Sequence, residues 1–142
     1  MRKDNPPSIT YVMDQVALMR LTGSPEIMVA QMTHLLELAE LPNISVQVLP
    51  LINHAAIGSD LVIADHNAAY VEHLGGGAVY IEPDRVDGFD KLFTAIRGEC
   101  YRASESAAIV RKARELWTGA SQATAPRTAA NASKQRRTRE AS

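Results

Sequence analysis

The chain has little that could stiffen it covalently or anchor it elsewhere. Cys100 is the one cysteine, which excludes an intramolecular disulfide and fits a reducing compartment. Aromatic residues make up 5% of the sequence, so aliphatic side chains and methionines must fill the core. No apolar run approaches the roughly 20 residues of a membrane span. The opening Met1-Arg2-Lys3-Asp4-Asn5-Pro6-Pro7 has no apolar stretch of the kind a signal peptide needs. Cytoplasmic location, without membrane contact, is the expectation. The net charge of −1 also argues against a whole-chain electrostatic footprint for nucleic acid.

What is present is an ordinary globular composition over 142 residues, with 46% hydrophobic and 22% charged, enough for one core. Charge divides unevenly along it. From Gly119 onward five basic residues stand against Glu140 alone, leaving ten basic against fifteen acidic residues before that point. The expected organisation is a loop at 1–7, a folded domain at 8–118 and a disordered basic tail at 119–142.

Ser8 to Met13 carries Ile9, Thr10, Tyr11 and Val12, a strand composition. Asp14 to Arg20 suits a short helical turn with Val16, Ala17 and Met19 partly buried. Ser24-Pro25-Glu26 is a helix start: a capping hydroxyl, a proline at the first helical position and a carboxylate at the positive end of the dipole. Met28, Met32, Leu35, Leu36 and Ala39 then recur at helical spacing. Pro42 disfavours helical geometry at Leu41 and ends the helix. Ile44, Val46 and Val48 alternate with Ser45 and Gln47, the period of a half-buried strand, closed by Pro50.

Leu51 to Ser59 reads as a loop and Asp60 to Ala64 as a strand. Segments 69–73 and 78–82 flank Leu74-Gly75-Gly76-Gly77, a hairpin with a glycine turn. Pro83 opens a helix with Val86, Phe89, Phe93, Ile96 and Cys100 on one face. Ser104 caps a last helix lined by Ile109, Ala113, Leu116 and Trp117. The expected fold is α+β: a mixed, mostly antiparallel sheet of about five strands with helices packed over it, its first strand–helix–strand unit a parallel crossover.

No catalytic constellation emerges. The four histidines, His34, His54, His66 and His73, lack the short spacing of a helix-borne zinc site. His54 and His66 in loops, with Asp60 or Asp65, are the nearest approach to a metal-assisted hydrolase, and surface polarity explains them more simply. Leu74-Gly75-Gly76-Gly77-Ala78 lacks the ending and the strand-to-helix context of a phosphate loop. Cys100 reads as a small core residue. Glu72 should point away from Val71 into solvent. Met28 and Met32 read first as core filling, and otherwise as part of an adaptable binding surface. The basic tail either contacts DNA phosphates or keeps a terminus soluble.

A resemblance adds a functional expectation. Tyr11-Val12-Met13-Asp14-Gln15-Val16-Ala17-Leu18 comes first, followed by Gly23, Met28, Gln31 and Leu35. The block Leu41-Pro42-Asn43-Ile44-Ser45-Val46-Gln47-Val48-Leu49-Pro50 comes next, then Tyr70-Val71-Glu72. Phe89, Phe93, Ile96 and Glu105-Ser106 complete the series. Together, over Pro6 to Trp117, these residues resemble the C-terminal domain that follows the helix-turn-helix in actinobacterial, antitoxin-like XRE-family regulators. Three departures accompany the match. Gln15 stands where that family usually has glutamate. The connection from Pro50 to Tyr70 is short and lacks an aromatic residue. The helix-turn-helix and the first segment of the domain are missing.

The resemblance implies a non-catalytic regulatory domain with no cofactor. Its partner would be another protein or a second copy, or its signal a small molecule, and DNA would be reached only through the missing N-terminal domain. The candidate partner or ligand surface is Met28, Met32, His54, His66 and Glu72. A small-molecule sensor, and after it a small metal-assisted hydrolase, are the alternatives.

Overall fold

The computed structural model describes residues 6–51 and 60–124. Strand β1 (Ile9–Asp14) leads into a short helix α1 (Gln15–Met19), and helix α2 (Pro25–Ala39) returns the chain to strand β2 (Ile44–Leu49). Strands β3 (Leu61–Ala64), β4 (Ala68–His73) and β5 (Gly76–Tyr80) follow, then helices α3 (Pro83–Glu99) and α4 (Ala103–Thr124).

The strands do not form one sheet. β1 and β2 pair in parallel, with Ile9 opposite Ile44 and Asp14 opposite Leu49. β3, β4 and β5 form a separate antiparallel sheet in that order. The expectation of a single sheet of about five strands is therefore corrected, while the mixed α+β class and the parallel first crossover hold. One edge of the parallel pair, that of β2, is closed to a further strand. There the Val48 carbonyl accepts from the Tyr101 N–H at 3.0 Å, and the Val48 N–H donates to Ser106 Oγ at 2.9 Å. The α3–α4 junction thus takes the hydrogen bonds that another strand would need.

The main core belongs to the first unit. Leu18, Met28, Met32, Val48, Val110 and Ala113 are buried together, with Met13, Leu35, Leu36, Tyr101, Ile109 and Trp117 packed around them. Helices α2 and α4 pack on each other and on β2. α2 begins as the sequence predicts, with Ser24 Oγ accepting from the Ile27 N–H at 3.4 Å and Pro25 in the first turn. Gly23 holds φ at 76°, and a Cβ there would strike Ile27, so glycine is required where the chain turns into α2. In α1 the buried side chain is Leu18 and not Val16 or Met19, which are exposed. The helix makes only about 1.4 turns, and Leu18 is its one side chain that reaches the core.

α4 runs past the expected end of the domain at 118 and stays helical to Thr124. Ser121 Oγ donates to the Glu26 carboxylate of α2 at 2.5 Å, and the Thr118 and Thr124 hydroxyls bond the carbonyls of Arg114 and Ala120 within the helix. Alanine and glutamine in this stretch also favour the helix. The rest of the basic tail lies outside the described residues. The buried face of α4 is Ser106, Val110 and Ala113, while Leu116 is exposed.

The second unit is thinner. α3 packs on β3 and β4, burying Val86 and Ala69, and the Phe89 and Tyr80 rings meet with centroids 5.2 Å apart. It joins the first unit through α3 and β2, where Arg97 Nε donates to Gln47 Oε1 at 3.2 Å. The hairpin turn between β4 and β5 is shorter than the glycine run suggests. Gly76 already pairs with His73 and Gly77 with Glu72, leaving Leu74 and Gly75 to make the turn.

Candidate interaction surface

Strand pleating sends alternate side chains to opposite faces. In the three-stranded sheet, Ala69, Val71, Ala78 and Tyr80 turn inward and are buried or half-buried. The other parity is Val62 on β3, Tyr70 on β4 and Val79 on β5, directly opposite one another across the sheet. These are 59%, 38% and 67% exposed, and Ile81, next along the same parity, is 70% exposed. Leu74 at the hairpin tip is also fully exposed. The result is a continuous apolar row that no described element covers.

Two details shape this row. Tyr70 lies across Gly77, whose missing Cβ leaves the space that the phenol ring occupies, so a flat aromatic sits level with its neighbours. Glu72 points out on the same face, opposite Asp60, whose carbonyl accepts the Glu72 N–H at 2.9 Å. Its exposure agrees with the sequence reading.

The remaining candidate residues do not gather here. Met28 and Met32 are 4% and 3% exposed. A methionine surface is thus corrected at both positions to core, because α2 packs on both β2 and α4 and its Met28–Met32 stripe is buried with Val48, Val110 and Ala113. His54 lies outside the described residues. His66 sits in the β3–β4 turn, where Asp65 and His66 both hold positive φ, 50° and 56°, and the Asn67 N–H donates to the Ala64 carbonyl at 2.9 Å. That geometry suits a tight hairpin. The His66 ring contacts the Asp90 carboxylate of α3 at 2.7 Å, so it clasps sheet to helix and does not pair with Asp60 or Asp65. Among the described residues, no three His, Cys, Asp or Glu side chains group closely enough to hold a metal ion. Nor is any described helix long and apolar enough to cross a membrane.

Cys100 is half-buried, and its thiol donates to the Ile96 carbonyl at 3.4 Å. Burial raises its pKa above the ordinary thiol value, with Arg97 opposing and Glu99 adding to the rise. Partial burial thus favours the protonated thiol.

A second feature is an open cleft of about 410 Å³ between the start of α1 and α4, lined by Gln15, Tyr101, Glu105, Ala108, Ile109 and Lys112. Its lining mixes apolar and polar side chains, with one carboxylate, Glu105, and one ammonium group, Lys112.

Sequence reasoning missed the Val62–Tyr70–Val79 row, although a signal for it existed. Leu61-Val62-Ile63-Ala64 is apolar at every position, not at alternate ones. Such a run marks a strand designed for cover on both faces.

No curated protein and no solved structure matches the chain. Residues 1–112 match the model of a family described as a domain of unknown function, DUF5753, and the chain belongs to that family.

Proposed function

We propose that this is a non-catalytic regulatory domain, one that binds a protein partner and adjusts an attached helix-turn-helix of the actinobacterial XRE type. The carrying observation is a three-stranded sheet that is apolar on both faces while a helix covers only one. Exposed contiguous apolar surface is what soluble proteins keep for docking. The regulatory part of the reading is supported by the residue series from Tyr11 to Ser106 described above.

The test is capture of partners by the tagged chain in its native cells, followed by reconstitution of each captured protein with the purified chain. A complex of fixed stoichiometry that forms with wild type and not with Val79→Lys supports the reading. Absence of any reconstituting protein contradicts it.

A second reading is a small-molecule sensor, for which the shallow, open depression lined by Gln15, Tyr101, Glu105, Ala108, Ile109 and Lys112 is the place to look. A metabolite that prefers the folded state raises its melting temperature. A thermal-shift screen with wild type and Lys112→Ala therefore separates the two readings.

A further inference from the structure

The stretch from residue 21 to residue 84 contains eight carboxylates and not one lysine or arginine. It includes all of β3, β4 and β5, so the apolar outer face lies on a sheet without a cationic side chain of its own. Asp60 and Glu72, both exposed, flank the Val62–Tyr70–Val79 row on one side, two residues along β3 and β4. Its chemistry is therefore apolar in the middle and anionic at the margin.

We propose that this face docks a cationic amphipathic helix of a partner protein. The proposal rests on the partner-binding reading and adds the chemistry and shape of the partner. Strands about 4.8 Å apart place Val62 and Val79 about 10 Å from each other across β4, the width of one α-helix. A helix laid there mirrors α3 on the opposite face and completes a three-layer sandwich. Its apolar stripe covers Val62, Tyr70, Val79 and Ile81, and its lysines or arginines meet Asp60 and Glu72. Opposite charges at the rim speed encounter and select the partner, while the apolar centre holds it.

Other occupants satisfy less of this chemistry. A second copy using the same face brings carboxylates into an already anionic surface. Nucleic acid needs phosphate-binding cations, and the sheet has none. The chain's own residues 125–142 supply five basic side chains but no apolar one larger than alanine or proline, so they match the margin and not the row.

The test uses the full chain and two synthetic amphipathic helices of equal length, one of leucine and lysine and one of leucine and glutamate. Binding is followed by calorimetry and by amide chemical shifts. The leucine–lysine helix is expected to shift the Val62, Tyr70, Val79 and Ile81 amides and to bind about tenfold or more tightly than the leucine–glutamate helix. Val79→Lys and Val62→Lys, on opposite edge strands, each weaken that binding, and Leu116→Lys on α4 leaves it unchanged. Two variants keep the test intact if one of them fails to fold.

Equal affinity for the two helices, or shifts confined to other surfaces, overturns the proposal. So does a doubled mass in sedimentation without peptide that Val79→Lys abolishes, which identifies a second copy as occupant. Sheet amides that move when Arg136→Glu and Arg137→Glu are introduced without peptide identify the tail instead. If neither helix binds while a captured protein still reconstitutes, this inference falls and the partner-binding reading stands.

Discussion

The Ser106 hydroxyl accepts the Val48 N–H at 2.9 Å and donates to the Tyr101 carbonyl at 3.2 Å, with no solvent exposure at Ser106. One side chain of α4 thus closes the free edge of β2 and fixes the chain as it enters α4. Val48, on the receiving strand, is itself wholly buried. Ser106→Ala leaves a buried amide without its acceptor, which costs about 1–3 kcal/mol. Chemical denaturation should show that loss, and Ser106→Thr should recover little of it because its extra methyl has no room in a packed core.

Met28 and Met32 form the side of α2 that faces the core. Met32→Ala should cost about 2–5 kcal/mol in unfolding free energy. The same substitution at Met19, which is 57% exposed, should cost far less. Binding by the folded Met32→Ala chain should match wild type, since this side chain does not reach the outer sheet face.

Glu26 links the pH dependence of folding to the α2–α4 contact. Its pKa is lowered to about 2, first by the Ser121 hydroxyl, then by Ser24 and by its own backbone amide. A carboxyl whose folded pKa lies below its unfolded one binds protons more readily when unfolded. Its contribution is therefore complete above the unfolded value of 4.5 and is lost as pH falls toward 2. Glu26→Gln should flatten the acid side of the stability curve in that window and leave the neutral side unchanged in slope. Ser121→Ala should do part of the same.

Tyr70 and Gly77 make a fourth local prediction. A Cβ on residue 77 meets the phenol ring, so Gly77→Ala must displace Tyr70 or the strand beneath it. The atoms met are the outer end of a ring that is 38% exposed, so the ring swings aside and the cost falls below the roughly 1–3 kcal/mol of core overpacking, readable as a small drop in melting temperature. Pairing it with Tyr70→Ala should remove most of that penalty, because the clash partner is then gone.

Much of the fold is legible in the residues, and the limits are specific. The Ser24-Pro25 start of α2, the alternation at Ile44, Val46 and Val48, and the Val86–Phe93 face of α3 are local patterns, and the structure keeps them. Which strands share a sheet is not local. Ser106 and Tyr101 close the edge of β2 to a third strand, and neither hydrogen bond leaves a periodic trace. The extension of α4 to Thr124 depends likewise on Ser121 meeting Glu26, 95 residues earlier in sequence. For the surface, Glu72 was readable because strand parity alone places it. Met28 and Met32 were ambiguous because methionine serves cores and docking faces alike. Val62 was signalled by the unbroken apolar run of β3, whereas Val79 escaped because one apolar residue between Ala78 and Tyr80 does not disclose whether anything covers it.

The claim that the open face of the β3–β4–β5 sheet is where this domain meets its partner is measured most directly by calorimetry on the reconstituted complex. Wild type, Val79→Lys and Leu116→Lys should be compared under identical salt. Val79 and Leu116 are similarly exposed, 67% and 63%, so each substitution should change the melting temperature of the free chain little. The account predicts about tenfold or greater loss of affinity for Val79→Lys alone. Equal affinities for all three chains, or a loss confined to Leu116→Lys, would contradict it.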